Sequence, residues 1–310
     1  MLAARGPSPV RNQALAALLR CPSCRTRIAL SDDRAVCKGA KHTFPVIRGI
    51  PVFLDDETVG GDPQYVHQRR YFDAEFADYD IYRLENWRRS YLDRLGTGGL
   101  LDTEAPVLDV GVGGSGYTVI EAARTGSLAV GCDLSLQALV AARRFAESEG
   151  VAERTFWVCC SAERLPLASA SFGSALAVAV IEHVPDDHAA LAEIARVLEP
   201  GGRCWVTVPH GLRNIPLVFR LPNRRHDRRL GHLRRYEAES LVHDGGQAGL
   251  AAVDVQFTGH PVKAVQLGAT TIPGEPLGDR FWWWCERRDL RRSTTRRGSM
   301  QLSVLFERAA

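Results

Sequence analysis

The fold of this 310-residue chain is decided by one stretch, which reads Val107-Leu108-Asp109-Val110-Gly111-Val112-Gly113-Gly114-Ser115-Gly116. About twenty residues further on, a second apolar run ends in an acid, Gly131-Cys132-Asp133-Leu134-Ser135. A strand, a glycine-rich turn, a helix and a second strand that ends in an acid are typical of the first βαβ unit of a nucleotide-binding α/β sheet. The glycines let the backbone approach a ligand closely, and the acid can bind two ribose hydroxyls.

The position of Asp109 indicates which kind of nucleotide is bound. Gly111, Gly113 and Gly116 fit the G-x-G-x-x-G pattern of dinucleotide-binding proteins, which by itself is weak evidence. Asp109 lies two residues before the first glycine, where it would stand beside a pyrophosphate as a second anion. A ligand with an ammonium group and no phosphate suits Asp109 better. S-adenosylmethionine has both properties, and its ribose hydroxyls suit Asp133.

Further motifs follow in a fixed order along the central region. They are SAERLPL at 161–167, Ser171-Phe172, IEHVPD at 181–186, LEPGG at 198–202 and VTVP at 206–209. In this order they resemble the class I S-adenosylmethionine-dependent methyltransferases, in particular the small-molecule branch, over roughly residues 100–210. The resemblance implies a doubly wound α/β fold with a mostly parallel seven-stranded sheet, helices on both faces and a reversed last strand.

Carried over position by position, the resemblance also implies a set of cofactor-binding residues. The glycine-rich loop would surround the methionine part of the cofactor, and Leu134 would flank the adenine. Ser161, where the family more often has Asp, would contact the adenine edge together with Ala162. Ala177 would lie beside the sulfonium, where the fourth strand ends. The predicted cofactor-binding residues are Asp109, Gly111, Gly113, Asp133, Leu134, Ser161, Ala162 and Ala177.

Two histidines are candidates for a general base. Methyl transfer needs mainly alignment of the acceptor with the methyl group, and a base is needed only where an acceptor hydroxyl must lose its proton. His183 follows the predicted fourth strand and His210 the fifth, and both loops open at the carboxyl edge of the sheet. A purely structural role for His183, as the cap of its helix, stays open.

The end of the fourth strand also bears on the acceptor atom. Enzymes that methylate exocyclic amino groups or side-chain amides carry an Asn/Asp-Pro-Pro-aromatic motif at this point. This chain has Ala179-Val180-Ile181-Glu182-His183 instead. O-, C- or ring-N-methylation is therefore favoured.

Four residues near the N-terminus have the spacing of a metal site. Cys21 and Cys24 are separated by two residues, and Cys37 and His42 by four. This pattern predicts a tetrahedral, structural Cys3His zinc site, although buried cysteines also occur without metal. Residues 43–54 resemble the zinc-ribbon segment of the tRNA-methyltransferase-activator family, a ribbon also fused to some bacterial rRNA guanine methyltransferases.

Length and composition suggest a globular protein of one large or two unequal domains. We predict a zinc-ribbon-like domain at 1–55, a linker and helical lid at 56–98, and a cofactor-binding methyltransferase domain at 99–310. The aromatics between Tyr71 and Tyr91 suit either that lid or packing against the sheet. No apolar run is long enough for a bilayer and no signal peptide is evident, so we expect a cytoplasmic protein whose eight cysteines are thiols or metal ligands.

Basic residues are concentrated toward the C-terminus. Residues 213–310 carry a formal charge near +7 and the rest near −4, consistent with the total of +3. Such runs are often only solvated surface, but an anionic acceptor, RNA or an acidic membrane surface would also suit them. Trp282–Trp284 suit interior packing, a homodimer interface or an interfacial anchor. The arginines form two clusters, Arg224, Arg225, Arg228, Arg229, Arg234 and Arg235, and Arg287, Arg288, Arg291, Arg292, Arg296 and Arg297.

Three functional hypotheses follow. The favoured one is a methyltransferase for a small-molecule acceptor. The second is an rRNA or tRNA base methyltransferase that uses the ribbon and the basic C-terminal third to bind RNA. The third is a non-catalytic cofactor-binding or adapter protein whose ribbon binds another subunit. The acceptor itself is not determined by the sequence.

Overall fold

The computed structural model describes residues 17–54, 62–77, 86–262 and 279–309, with the backbone alone at 86–91 and 279. Residues 1–16 of the domain predicted at 1–55 and residues 56–61 of the predicted linker therefore lie outside the described residues, as do Tyr79 and Tyr82. The strands, numbered in chain order, are β1 Ile28–Leu30, β2 Arg34–Cys37, β3 Thr43–Ile47, β4 Ile50–Pro51, β5 Val107–Val110, β6 Ala129–Asp133, β7 Thr155–Cys159, β8 Phe172–Val178, β9 Leu198–Pro209, β10 Leu250–Thr258 and β11 Gln301–Arg308.

Seven of these strands form the central sheet, in the order β10-β11-β9-β8-β5-β6-β7. The neighbours from β9 to β7 are parallel, whereas β11 is antiparallel to both β9 and β10. The predicted fold class is confirmed: the sheet is mostly parallel, and its last strand is reversed. β5 and β7 are buried at every position because helices cover both faces of the sheet.

The helices pack on the two faces of this sheet or border its carboxyl edge. None of them, within the described ranges, is both long enough and apolar enough to cross a membrane. They are α1 Pro63–Phe76, α2 Asn86–Thr97, α3 Tyr117–Thr125, α4 Leu136–Ser148, α5 Asp187–Val197, α6 Leu217–Leu230, α7 Ala238–Gln247 and α8 Asp279–Leu290.

Capping side chains fix two helix starts at the carboxyl edge of the sheet. Ser135 accepts a hydrogen bond from the Ala138 amide at 3.1 Å at the start of α4. Asp186 accepts one from the Ala189 amide at 2.9 Å at the start of α5. These bonds satisfy amide groups that would otherwise lack a partner in the first turn. Asp186, rather than His183, is therefore the residue that caps α5.

The N-terminal strands β1–β4 form a separate antiparallel sheet that packs on the edge strand β7. Val52 forms a parallel bridge with Cys159, and the Phe53 amide donates to the Cys159 carbonyl at 2.7 Å. Arg25 adds an ion pair with Glu193 at 2.8 Å. Apolar residues of both sheets share one core. The N-terminal segment therefore covers β7, whose exposed edge would otherwise offer unpaired backbone groups.

Candidate functional site

A cavity opens at the carboxyl edge of the parallel strands, which is where ligands bind in open α/β sheets. Apolar surface dominates its walls, and a few polar groups converge on it. The lining residues are Tyr65, Gln68, Phe72, Phe76, Val110, Gly111, Gly113, Cys132, Asp133, Leu134, Cys160, Ser161, Ala162, Ala179, Val180, His183 and Val184.

Asp133, at the end of β6, is held in one orientation by two backbone amides. Its Oδ2 accepts a hydrogen bond from Gly113 and its Oδ1 one from Ser135, both at 2.8 Å. Burial raises the pKa of Asp133 to about 6, against the opposing effect of these two bonds and with a further contribution from Asp73. A carboxylate can accept about four hydrogen bonds, so Asp133 keeps acceptor capacity for two hydroxyls of a ligand.

The structure places Asp109 differently from the prediction. Asp109 is buried and does not line the cavity, and its carboxylate accepts a hydrogen bond from the Thr118 hydroxyl at the start of α3. Burial and the neighbouring Asp133 raise the pKa of Asp109 well above its usual range. Its side chain therefore ties the glycine-rich loop to α3 instead of facing a ligand ammonium group.

The end of β8 differs from the prediction in a similar way. Ala177 is fully buried in the sheet opposite Val110, and the cavity is lined instead by Ala179 and Val180, which follow the strand. Ala179 has a φ of 56°, which is rare for a residue other than glycine. Such backbone strain is concentrated at functional sites. The turn it produces directs the chain from β8 across the mouth of the cavity toward His183.

Helix α1 forms the wall opposite the sheet. The helix begins at Asp62, which caps the Gln64 amide at 2.8 Å, and Asp73 fixes it to the start of α4 through the Ser135 hydroxyl at 2.6 Å. Near the end of β7, the Tyr65 hydroxyl is 2.8 Å from the Ser161 hydroxyl. Phe72 and Phe76 belong to the aromatics noted in the sequence, whereas Tyr65 and Gln68 were missed because nothing local marks them as cavity residues.

The two candidate bases have different surroundings. His183 lines the cavity, and Phe72 contacts its ring edge-on with a centroid distance of 5.7 Å. Burial, followed by the neighbouring His232, lowers the pKa of His183 to about 3, so its imidazole is neutral and a weak base. His210 does not line the cavity. It is fully buried, with its ring nitrogens 2.6 Å from the Ser299 hydroxyl and 3.1 Å from the Asn214 amide nitrogen.

Glycine is required at position 111 because the backbone there lies close to the turn after β8. Its φ is +70°, and a Cβ atom there would lie 2.3 Å from a Val180 methyl group. We expect Gly111→Ala to lower the free energy of unfolding by more than the ~1–2 kcal/mol of left-handed strain, and to weaken cofactor binding. Gly150→Ala is the matched control, with a φ of +73° and open space around the Cβ position. Equal melting shifts for the two variants would contradict the steric argument.

The four predicted metal ligands come together at the N-terminal sheet. The ligand atoms of Cys21, Cys24, Cys37 and His42 all lie within 4.8 Å of one another. The Cys21 Sγ is 3.2 Å from the His42 Nδ1, and the Cys24 Sγ is 3.3 Å from the Cys37 Sγ. Hydrogen bonds from Thr26 lower the pKa of Cys24 to about 6, which favours the thiolate. Three sulfurs and one imidazole at these separations fit a tetrahedral zinc ion.

The basic segment after β9 contacts α1 through its backbone rather than through its arginines. Gln64 and Gln68 donate hydrogen bonds to the Gly231 carbonyl, at 2.9 and 3.1 Å. Arg234 forms an ion pair with Asp187 at 2.6 Å and Arg235 one with Asp227 at 2.7 Å, so both guanidinium groups are paired within the protein. The exposed arginines of this cluster lie on α6 and are Arg224, Arg225, Arg228 and Arg229.

Comparison with known proteins agrees with this geometry. Residues 108–206 match the family model described as a methyltransferase domain. One relative, the methyltransferase GfsG of Streptomyces halstedii, is 38% identical over 97 residues. That alignment covers 31% of this chain and 35% of the relative, so the chain spans about a third of the relative's length.

Solved structures extend the similarity to most of the fold. The [4+2]-cyclase SpnF superimposes with a TM-score of 0.56 at 20% identity, over 80% of this chain and 97% of its own. Geranyl diphosphate C-methyltransferase from Streptomyces coelicolor A3(2), solved with Mg²⁺, geranyl diphosphate and S-adenosyl-L-homocysteine, gives 0.55 at 16% identity over 82% and 86%. The protein therefore has the α/β methyltransferase fold.

Proposed function

We propose that this protein is an S-adenosylmethionine-dependent methyltransferase that acts on a small-molecule acceptor. The observation that carries the proposal is the position of Asp133, whose carboxylate is fixed at the mouth of the glycine-rich loop and keeps acceptor capacity for two ribose hydroxyls. Leu134, Ser161 and Ala162 would hold the adenine, and Gly111 and Gly113 would allow the methionine part to approach the backbone. Of the predicted cofactor residues, Asp109 and Ala177 would act only indirectly, through the loop and the strand.

The lining of the cavity favours a small acceptor over a nucleic acid. Phe72 packs against His183, Phe76 lies close to the backbone of Gly113 and Gly114, and apolar surface predominates in the cavity. An apolar acceptor would displace water from these walls and be aligned with the methyl group. When bound, the cofactor supplies the electrophilic methyl group, and the protein's task is alignment and exclusion of water.

RNA methylation remains a second candidate because of the exposed arginines of α6. If RNA were the acceptor, substitution of Arg224 and Arg225 by Gln should weaken its binding and reduce the salt dependence of that binding. If the acceptor is a small molecule in the cavity, the same change should leave turnover unaltered. A non-catalytic role is the third candidate, since a fold does not by itself determine an activity.

The test is transfer of a labelled methyl group from S-adenosylmethionine to a panel of hydroxylated metabolites and, in parallel, to total tRNA and rRNA. We expect the label in a small molecule, with initial rates at subsaturating cofactor reduced about 5- to 150-fold in Asp133→Ala because cofactor binding is weakened. Label recovered in RNA would establish the second candidate. Cofactor binding without transfer to any member of the panel would favour the third.

We further propose that Cys21, Cys24, Cys37 and His42 bind one structural zinc ion in a ribbon that resembles the tRNA-methyltransferase-activator segment. The convergence of three sulfurs and one imidazole nitrogen supports it. All four positions of a tetrahedral ion would be filled by protein, so the ion would contribute to folding rather than to chemistry.

A further inference from the structure

Three side chains with metal-binding atoms converge beside the cavity. One ligand atom from each of Glu182, His183 and His232 lies within 4.8 Å of the other two. Glu182 and His183 are adjacent in the chain after β8, whereas His232 follows α6. The Leu233 amide donates to the Glu182 carbonyl at 2.8 Å, and this bond fixes the segment that carries His232.

Each imidazole in this cluster has one ring nitrogen that can bind a metal ion. The His232 Nδ1 is 2.8 Å from an Asp227 carboxylate oxygen, so Nδ1 carries the proton and Nε2 keeps its lone pair. The His183 Nδ1 is buried and has no hydrogen-bond partner among the described residues. Both histidines therefore keep one nitrogen as a free acceptor, which is the form that binds metal.

The surroundings of Glu182 also indicate a bound cation. Its side chain is fully buried, and neither carboxylate oxygen has a hydrogen-bond partner in the described part of the chain. The nearby cation Arg235 does not fill this role, because its guanidinium is paired with Asp227. Buried carboxylates are normally hydrogen-bonded or paired with a cation, since an isolated one is costly. A cation at the centre of the cluster would satisfy Glu182 and both imidazoles together.

We propose that Glu182, His183 and His232 bind one divalent transition-metal ion. Two imidazoles and one carboxylate suit Zn²⁺, Fe²⁺ or Co²⁺, whereas Mg²⁺ prefers oxygen ligands throughout. Bonds of about 2.0–2.2 Å would draw the three ligand atoms closer together around the ion. The Asp227 carboxylate accepts a hydrogen bond from the His232 Nδ1 and so fixes the orientation of the ring. This arrangement is common among metal-binding histidines.

The position of the ion relative to the cavity follows from these contacts. His183 lines the cavity, whereas Glu182 and His232 do not, and the His183 Nδ1 is buried. The ion would therefore lie behind the His183 ring and fix that ring in the wall of the cavity. Its consequence for the acceptor rests on the proposed function.

The experiment uses full-length protein with its zinc content measured and titrates it with Co²⁺. We expect visible d–d absorption from one Co²⁺ per chain without a thiolate charge-transfer band, since this site has nitrogen and oxygen ligands only. This wild-type measurement needs no variant. Glu182→Gln and His232→Gln should each raise the Co²⁺ dissociation constant at least about tenfold. His226→Gln is the matched control, because His226 is exposed on α6 with its ring 5.9 Å from that of His232.

Each outcome decides the proposal. Absence of Co²⁺ absorption, a thiolate band only, or unchanged affinity in both variants would overturn it. Circular dichroism and calorimetry with S-adenosylhomocysteine are measured on every variant, so a folding defect is separated from loss of a ligand. Co²⁺ bound at this cluster in a protein that does not bind S-adenosylhomocysteine would refute the proposed function and leave the metal site standing. Binding of S-adenosylhomocysteine without Co²⁺ at this cluster would refute the metal site alone.

Discussion

Asp133→Ala is expected to weaken binding of S-adenosylmethionine by about 1–3 kcal/mol, or about 5- to 150-fold in dissociation constant. The variant loses charge-assisted hydrogen bonds to two hydroxyls, and it also leaves the Gly113 and Ser135 amides without their acceptor. Isothermal calorimetry with S-adenosylhomocysteine measures the effect. Asp102→Ala is the control, since Asp102 is exposed and does not line the cavity. Unchanged affinity in Asp133→Ala, or a preference for NAD, would refute the assignment.

The same carboxylate predicts the pH dependence of cofactor binding. Burial raises the pKa of Asp133 to about 6, so the group is ionised at pH 7 and takes up a proton as the pH falls through that value. Only the ionised form accepts hydrogen bonds from both hydroxyls. Affinity should therefore be constant above about pH 7 and fall toward pH 5, by up to about tenfold per pH unit. The affinity of Asp133→Ala should lack this dependence, and a parallel decline in the variant would assign the titration to another group.

The central sheet was predictable because its signals are local. A buried strand, a glycine-rich turn and an acid at the end of the next strand determine one βαβ unit, and Asp133 reaches the predicted edge of the sheet. The two final strands were also visible as apolar runs, Val253–Phe257 and Leu302–Phe306, and the structure has β10 and β11 over them. In each case the pattern that forms the element lies within a few residues.

The departures depend on how separate elements pack against one another. Asp109 faces inward because α3 brings Thr118 to it, and sequence spacing does not give the rotation of that helix. An anionic acceptor was one of the alternatives left open for the basic segment, but Arg234 and Arg235 are paired with Asp187 and Asp227. The cluster around His183 was missed because His232 reaches it only through the packing of the segment after α6.

Cys37→Ser is expected to remove the zinc and to unfold the N-terminal sheet. Structural zinc contributes about 10–16 kcal/mol of apparent folding free energy in isolated zinc-finger peptides, so a loss on the order of several kcal/mol is expected even with packing against the large sheet. Elemental analysis should find about one zinc per chain fewer in the variant than in the wild type, because the cluster of Glu182, His183 and His232 is unchanged in both. Hydrogen exchange should then accelerate most strongly in residues 17–54.

Cys204→Ser separates loss of metal from the cost of a buried hydroxyl. Cys204 is also fully buried in the shared core, on β9, and it is remote from the metal ligands in the chain. This variant should keep its zinc and the slow exchange of residues 17–54. Wild-type protein without zinc, or equal behaviour of the two variants, would refute the site.

Loss of the zinc should also weaken cofactor binding, because the N-terminal sheet is joined to the central sheet at β7. Val52 and Phe53 pair with Cys159 at the end of that strand, and the next residues, Cys160, Ser161 and Ala162, line the cavity. An unfolded N-terminal sheet would expose the edge of β7 and release these residues from one side. We therefore expect affinity for S-adenosylhomocysteine to fall a few-fold in Cys37→Ser, about 1 kcal/mol, and to be unchanged in Cys204→Ser. Full affinity in a Cys37→Ser protein shown to lack zinc would mean that the central sheet keeps Ser161 in place without support from the N-terminal sheet.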